Sequence, residues 1–115
     1  MLSPVPDRAN LRYVISMNRA EIINKIKAAE PQLRAHGIAG LYLFGSYARD
    51  EAQPDSDVDV FIDKVPGRRF GFDELMGGYF ALKDAVPGIK ISFGTREGLD
   101  RSIKDEIENQ AVRIF

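Results

Sequence analysis

The apolar positions of this chain change period several times, and each change marks an element. Ile22, Ile26, Ala29 and Leu33 follow a helical stripe. Asn18 leads it with Glu21 three residues on, the pairing of a capping box. Pro31 predicts a kink or split near Glu30, and Gly37 a stop. Ile38 to Phe44 is a short apolar run rich in strand formers and reads as a strand. Gly45 to Arg49 reads as a tight turn opening a short helix, and Ala52 to Ser56, with Pro54 inside, as a loop. Val58, Val60 and Ile62 then alternate with Asp57, Asp59 and Phe61, the period-two pattern of a second strand. After a loop at Pro66–Arg69, Phe72, Leu75, Met76, Tyr79 and Leu82 make a helical face, weakened by Gly77 and Gly78. Pro87 and Gly88 turn the chain into a third strand, where Ile89, Ile91 and Phe93 alternate with Lys90 and Ser92. Leu99, Ile103, Ile107 and Ala111 fall at i+4 steps and predict a last helix. Helices between strands imply an α/β (α+β) fold, a small mixed β-sheet with helices packed on it.

Composition narrows the function classes. A chain of 115 residues forms one domain. That domain is expected over residues 17–115. Residues 1–16 carry two prolines and no clean period. They read either as an extension ahead of a start at Met17 or as an arm packed on the domain or on a second copy. The net charge of −1 provides no broad basic field, which argues against free-standing nucleic-acid binding. There is no cysteine and one histidine, so neither disulfides nor a thiolate zinc site are expected. No apolar run approaches the ~20 residues of a membrane span, and the amino terminus lacks the pattern of a signal peptide. The expected location is cytoplasmic, without membrane attachment.

The candidate chemistry lies between Leu43 and Asp63, in LFGSYARDEAQPDSDVDVFID. Glycine at 45 lets backbone approach a ligand closely. Free N–H groups at a helix start, with the Ser46 hydroxyl beside them, favour an anion such as phosphate. A Gly-Ser turn after a strand is common and alone says little. Asp57 and Asp59 add to it: side chains two apart in a strand share a face, roughly 7 Å apart at the backbone for a rise of ~3.3 Å per residue. Two carboxylates so placed repel each other and suit a shared divalent cation. Mg²⁺ is hard, prefers oxygen, and is often held by one or two carboxylates plus substrate phosphates. An isolated Asp-x-Asp is usually a solvated strand end. Here Val58, Val60, Phe61 and Ile62 surround the pair, and burying it without a cation is costly.

Taken together, Gly45-Ser46, Ala48-Arg49 and Ser56-Asp57-Val58-Asp59-Val60 resemble the nucleotidyltransferase superfamily of DNA polymerase β, and within it the minimal nucleotidyltransferases often encoded beside a HEPN-domain partner. The similarity runs from about Ile22 to Ile114. It implies a small mixed sheet with flanking helices and Mg²⁺-dependent nucleotidyl transfer, usually from ATP. In members linked to a HEPN toxin it implies an antitoxin that adds AMP to its partner, and so a hetero-oligomer. Carried over, Gly45 and Ser46 would hold the triphosphate, and Asp57 and Asp59 would ligate metal. Arg49 would assist with phosphate charge or brace the turn; pairing with a nearby Asp is the plainer alternative.

The resemblance departs at one place. The family brings a third carboxylate from the next strand, and Ser92 occupies that position. A serine is a neutral, weak ligand and no carboxylate base. The expectation is therefore a protein that binds ATP–Mg²⁺ and transfers slowly or not at all, unless Glu97, Asp100 or a partner supplies the acid. The alternative to an enzyme is a degenerate transferase fold that neutralises its partner by contact. Modification of a small molecule fits less well, since relatives of that kind carry an extra helical domain. Lys90 is expected on the face of Asp57, Asp59 and Ser92. His36 reads as a helix C-cap rather than a catalytic base, and Arg68 and Arg69 as a solvated loop or a contact for a nucleotide or acidic partner. Phe70, Phe72, Tyr79 and Phe80 read as core and interface rather than a base-stacking platform.

Overall fold

The structure, a computed structural model, describes residues 17–115, so both readings of the segment 1–16 lie outside the described residues. Asn18 caps α1 (Arg19–Ala28): its side chain accepts from the Glu21 N–H at 2.9 Å, while the Glu21 carboxylate accepts from the Asn18 N–H at 3.1 Å. The predicted split occurs at Ala29, with Pro31 in the first turn of α2 (Glu30–Ala35), where its missing N–H costs no hydrogen bond. His36 is the C-cap of α2, and Gly37 ends the segment at φ +87°. β1 (Ile38–Phe44) leads into the single turn α3 (Gly45–Ala48). β2 (Val58–Lys64), α4 (Phe72–Ala85) and β3 (Ile91–Thr95) follow. After a 3₁₀ turn at Arg96–Gly98 come α5 (Lys104–Gln110) and β4 (Val112–Arg113).

The described residues form a mixed four-stranded sheet of order β3-β2-β1-β4. β1 runs antiparallel to β2 and β4, and β2 runs parallel to β3. Alternation gives the sheet two different faces. Leu41, Leu43, Val58, Val60 and Ile62 are fully buried against Ile22, Ile26, Leu33 and Leu82 from α1, α2 and α4. The opposite face carries Tyr42, Phe44, Asp59, Phe61, Asp63 and Ser92. No helix among the described residues is long and apolar enough to cross a membrane.

Three boundaries differ from the sequence reading. Asp57 stands just outside β2, because the ladder begins where the Val58 N–H donates to the Lys90 carbonyl at 2.9 Å. The third strand starts at Ile91 rather than Ile89, for the same reason. The last helix is shorter than its i+4 spacing implied. Asp100 accepts from both the N–H and the hydroxyl of Ser102, and this local turn diverts the chain before Lys104. Beyond α5, Ala111 is extended and Val112–Arg113 add a fourth strand, with Arg113 opposite Tyr42. Of the four aromatic side chains read as core and interface, Phe70 and Tyr79 pack on the core, whereas Phe72 and Phe80 are exposed.

Candidate functional site

Gly45 is the point where β1 and α3 meet the acidic pair. Its φ of +74° is left-handed, and a Cβ there would overlap the Asp59 Oδ2. Glycine is thus required twice, by conformation and by the close approach of a carboxylate. α3 is too short for a useful macrodipole, so an anion at this turn would be met by individual N–H groups and the half-buried Ser46. The turn is fastened from several sides. Tyr47 is buried beneath it, and burial raises its hydroxyl pKa. Arg19 of α1 donates from Nη1 to the Ala48 carbonyl at 2.9 Å, closing the end of α3.

Asp59 lies opposite Phe44 on β1 and opposite Ser92 on β3. Its carboxyl is held above the ordinary carboxylate range, first by burial and then by the negative charge of Asp57, with Arg49 opposing. Asp57 reaches the same neighbourhood from the residue before β2. The loop that delivers it is tied by Ser56, whose hydroxyl accepts from the Gln53 N–H at 2.8 Å while its own N–H donates to the Gln53 carbonyl at 2.9 Å. Arg49 stands at the end of α3 with Nε donating to Glu51 at 2.9 Å and Nη1 to Gln110 of α5 at 3.2 Å. It is thereby braced by neighbours while its charge is felt at Asp59.

The donor set suits a hard divalent cation. Two half-buried carboxylates crowd one another with only the braced Arg49 in opposition, so a dication beside them would relieve both burial and repulsion. Among the described residues no third His, Cys, Asp or Glu joins them. Exposed Ser92 fills the place next to Asp59. Glu97 instead faces Lys64 at 3.9 Å, and Asp100 is engaged by Ser102, so neither turns back into the site. Lys90 is one residue outside β3, and among the described residues it forms no ion pair with either aspartate.

Residues 19–114 match the nucleotidyltransferase domain family. The chain belongs to that family. Among curated relatives, MJ0435 of Methanocaldococcus jannaschii, named as a protein adenylyltransferase, is 32% identical over 99 residues, covering 86% of this chain and 100% of that protein. The protein adenylyltransferase MntA of Thermococcus cleftensis is 29% identical over 97 residues, covering 82% of this chain and 93% of that one. A solved structure described as a minimal nucleotidyltransferase superposes with a TM-score of 0.70 at 24% identity, covering 84% of this chain and 96% of that chain. A crystal structure of a toxin–antitoxin with AMP-PNP contains a chain of the same fold, with a TM-score of 0.57 at 16% identity, covering 86% and 73%.

Within this nucleotidyltransferase fold, Gly45, Ser46, Arg49, Asp57, Asp59 and Ser92 gather at one end of the sheet. The other candidates lie elsewhere. Arg68 donates to the Ala35 carbonyl at 2.8 Å and so caps α2 beside Gly37, at the opposite end of β1. Arg69 is exposed in the same loop. Pattern reading passed over Arg19, Gln110 and the bracing role of Ser56. Ser56 is the one with a local signal, since serine closing a Pro-Asp turn is a familiar device. Arg19 and Gln110 act across 29 and 61 residues of sequence, and no local pattern announces them.

Proposed function

We propose that this chain binds ATP with Mg²⁺ and transfers AMP to a partner protein, a HEPN-type toxin, at a rate limited by Ser92. The observation that carries the reading is the contact of the Gly45 turn with the Asp59 carboxylate. It supports a triphosphate on the N–H groups of Gly45 and Ser46 while Asp57 and Asp59 hold the cation. When bound, that ion would neutralise phosphate charge. Arg49 would add a fixed positive charge beside the phosphates, held by Glu51 and Gln110. The kinship with protein adenylyltransferases supports a protein acceptor, and the toxin–antitoxin complex of the same fold supports a toxin as that protein.

Ser92 favours a second reading at the same site, in which nucleotide binds but the partner is neutralised by contact alone. Label transfer from α-labelled ATP to the purified partner separates the two. The first reading expects slow labelling by the native chain and faster labelling by Ser92→Asp, which restores an acid beside Asp59. Native labelling that Ser92→Asp leaves unchanged removes Ser92 as the limiting residue. No labelling by either chain, with ATP–Mg²⁺ binding intact by calorimetry, selects the contact reading.

A further inference from the structure

The helical layer, on the side of the sheet away from the carboxylates, carries a groove of about 660 Å³. Lys25 and Ala28 of α1 form one wall, and Phe80, Ala81 and Asp84 of α4 the other. His36 closes one end; its ring lies where a side chain on Gly77 would begin. Half of the lining is alanine or glycine, while Phe80 stands at its edge 58% exposed. Phe72, 73% exposed, lies two turns earlier on the same helix. An exposed phenylalanine at the rim of a groove supplies apolar surface that an interface would bury. Lys25 and Asp84 bring opposite charges to the two walls, and among the described residues neither forms an ion pair.

Knob and socket therefore lie on one surface, and so do a cation and an anion. That is the self-complementarity a two-fold interface needs, in which residue i meets j and j meets i. We propose that the occupant of this groove is a second copy of this chain. Two copies related by a two-fold axis insert each Phe80 into the other's groove and set each Lys25 against the other copy's Asp84. The carboxylate face stays open in such a dimer, so the inference stands independently of the nucleotide reading.

Sedimentation of the full chain over a concentration series tests it. The native chain is expected to dimerise, and Phe80→Asp to sediment as a monomer with unchanged far-ultraviolet circular dichroism. Lys25→Asp and Asp84→Lys should each weaken the dimer roughly tenfold by setting like charges opposite one another, and the two together should restore it. The charge exchange uses exposed positions and decides the matter even if Phe80→Asp does not fold. A native chain that stays monomeric at every concentration overturns the proposal and leaves the groove to another protein or to residues 1–16. A doubly exchanged chain no tighter than either single variant overturns it as well.

Discussion

Asp59 and Asp63 sit on the same strand, on the same face, four residues apart, and their surroundings push them in opposite directions. Asp63 receives two hydrogen bonds from Arg96, at 2.7 and 2.9 Å, and this guanidinium holds its carboxyl below the ordinary range. The same Arg96 donates to Glu108 of α5 at 2.8 Å and lies 4.8 Å from the ring centroids of both Tyr42 and Phe61. Asp59 is half-buried and feels Asp57 more strongly than the opposing Arg49, so its carboxyl is held above the ordinary range. One end of the strand is electrically complete and ties α5 to the sheet. The other is left acidic by the protein itself. The difference teaches that residue type alone does not distinguish a strut from a binding group; what distinguishes them is whether the chain supplies the counter-charge.

The largest effect that would break this comparison is on binding. Asp59→Asn should weaken ATP–Mg²⁺ binding roughly 100-fold by calorimetry, because a phosphate-bound cation loses one of two anionic ligands. It should leave the metal-free thermal midpoint unchanged or higher, since burial and Asp57 disfavour this carboxylate more than Arg49 favours it. A lowered midpoint would mean that Asp59, too, is a strut. Next is Arg96→Met, which strands Asp63 and Glu108. All three side chains are about a third exposed, so solvent screens the loss, and the expected cost is about 2 kcal/mol. In a chain of this size that lowers the thermal midpoint by roughly 10 °C. Adding Asp63→Asn should recover part of it.

The smallest effect is the sharpest in sign. Asp63 binds its proton less readily folded than unfolded. Its contribution to stability is present above the unfolded value of 3.8 and is lost as pH falls through the lower folded value. Asp59 does the reverse. Its penalty is absent well below 3.8 and grows as pH rises through that value and the raised folded one. Mg²⁺ with ATP should therefore raise the thermal midpoint most near neutral pH, by about 1 kcal/mol of added stability at concentrations several-fold above Kd, and the increment should shrink on acidification through the raised Asp59 range. A pH-independent increment would place the cation elsewhere.

Much of the frame was legible because its signals are local. The Asn18–Glu21 cap, the split at Pro31, the stop at Gly37 and the run from Ile38 to Phe44 all fall where residue chemistry dictates them. So does the turn at Gly45, which the sequence marks by its Gly-Ser pair and the structure explains through Asp59. Alternation misled at strand ends. Asp57 and Ile89 continue the period of two, yet pairing begins only where Val58 meets the Lys90 carbonyl. β4 escaped because two residues carry no period, and it exists through Tyr42 and Leu43 of β1. The Arg96 clasp escaped for a related reason: an arginine flanking a strand gives no hint of which two acids it will join. The candidate site residues come from the motif, whereas the contacts of Arg19 and Gln110 beside them needed coordinates.

The meeting of His36 with Gly77 carries a consequence for how this sequence can drift. An imidazole fills the room in which any larger residue at 77 would have to start, so α2 and α4 interlock through the absence of one atom. Neither position is free to change alone toward greater bulk. Across homologues the pair should covary, with alanine at 77 tolerated only where a slimmer side chain has replaced the histidine at 36.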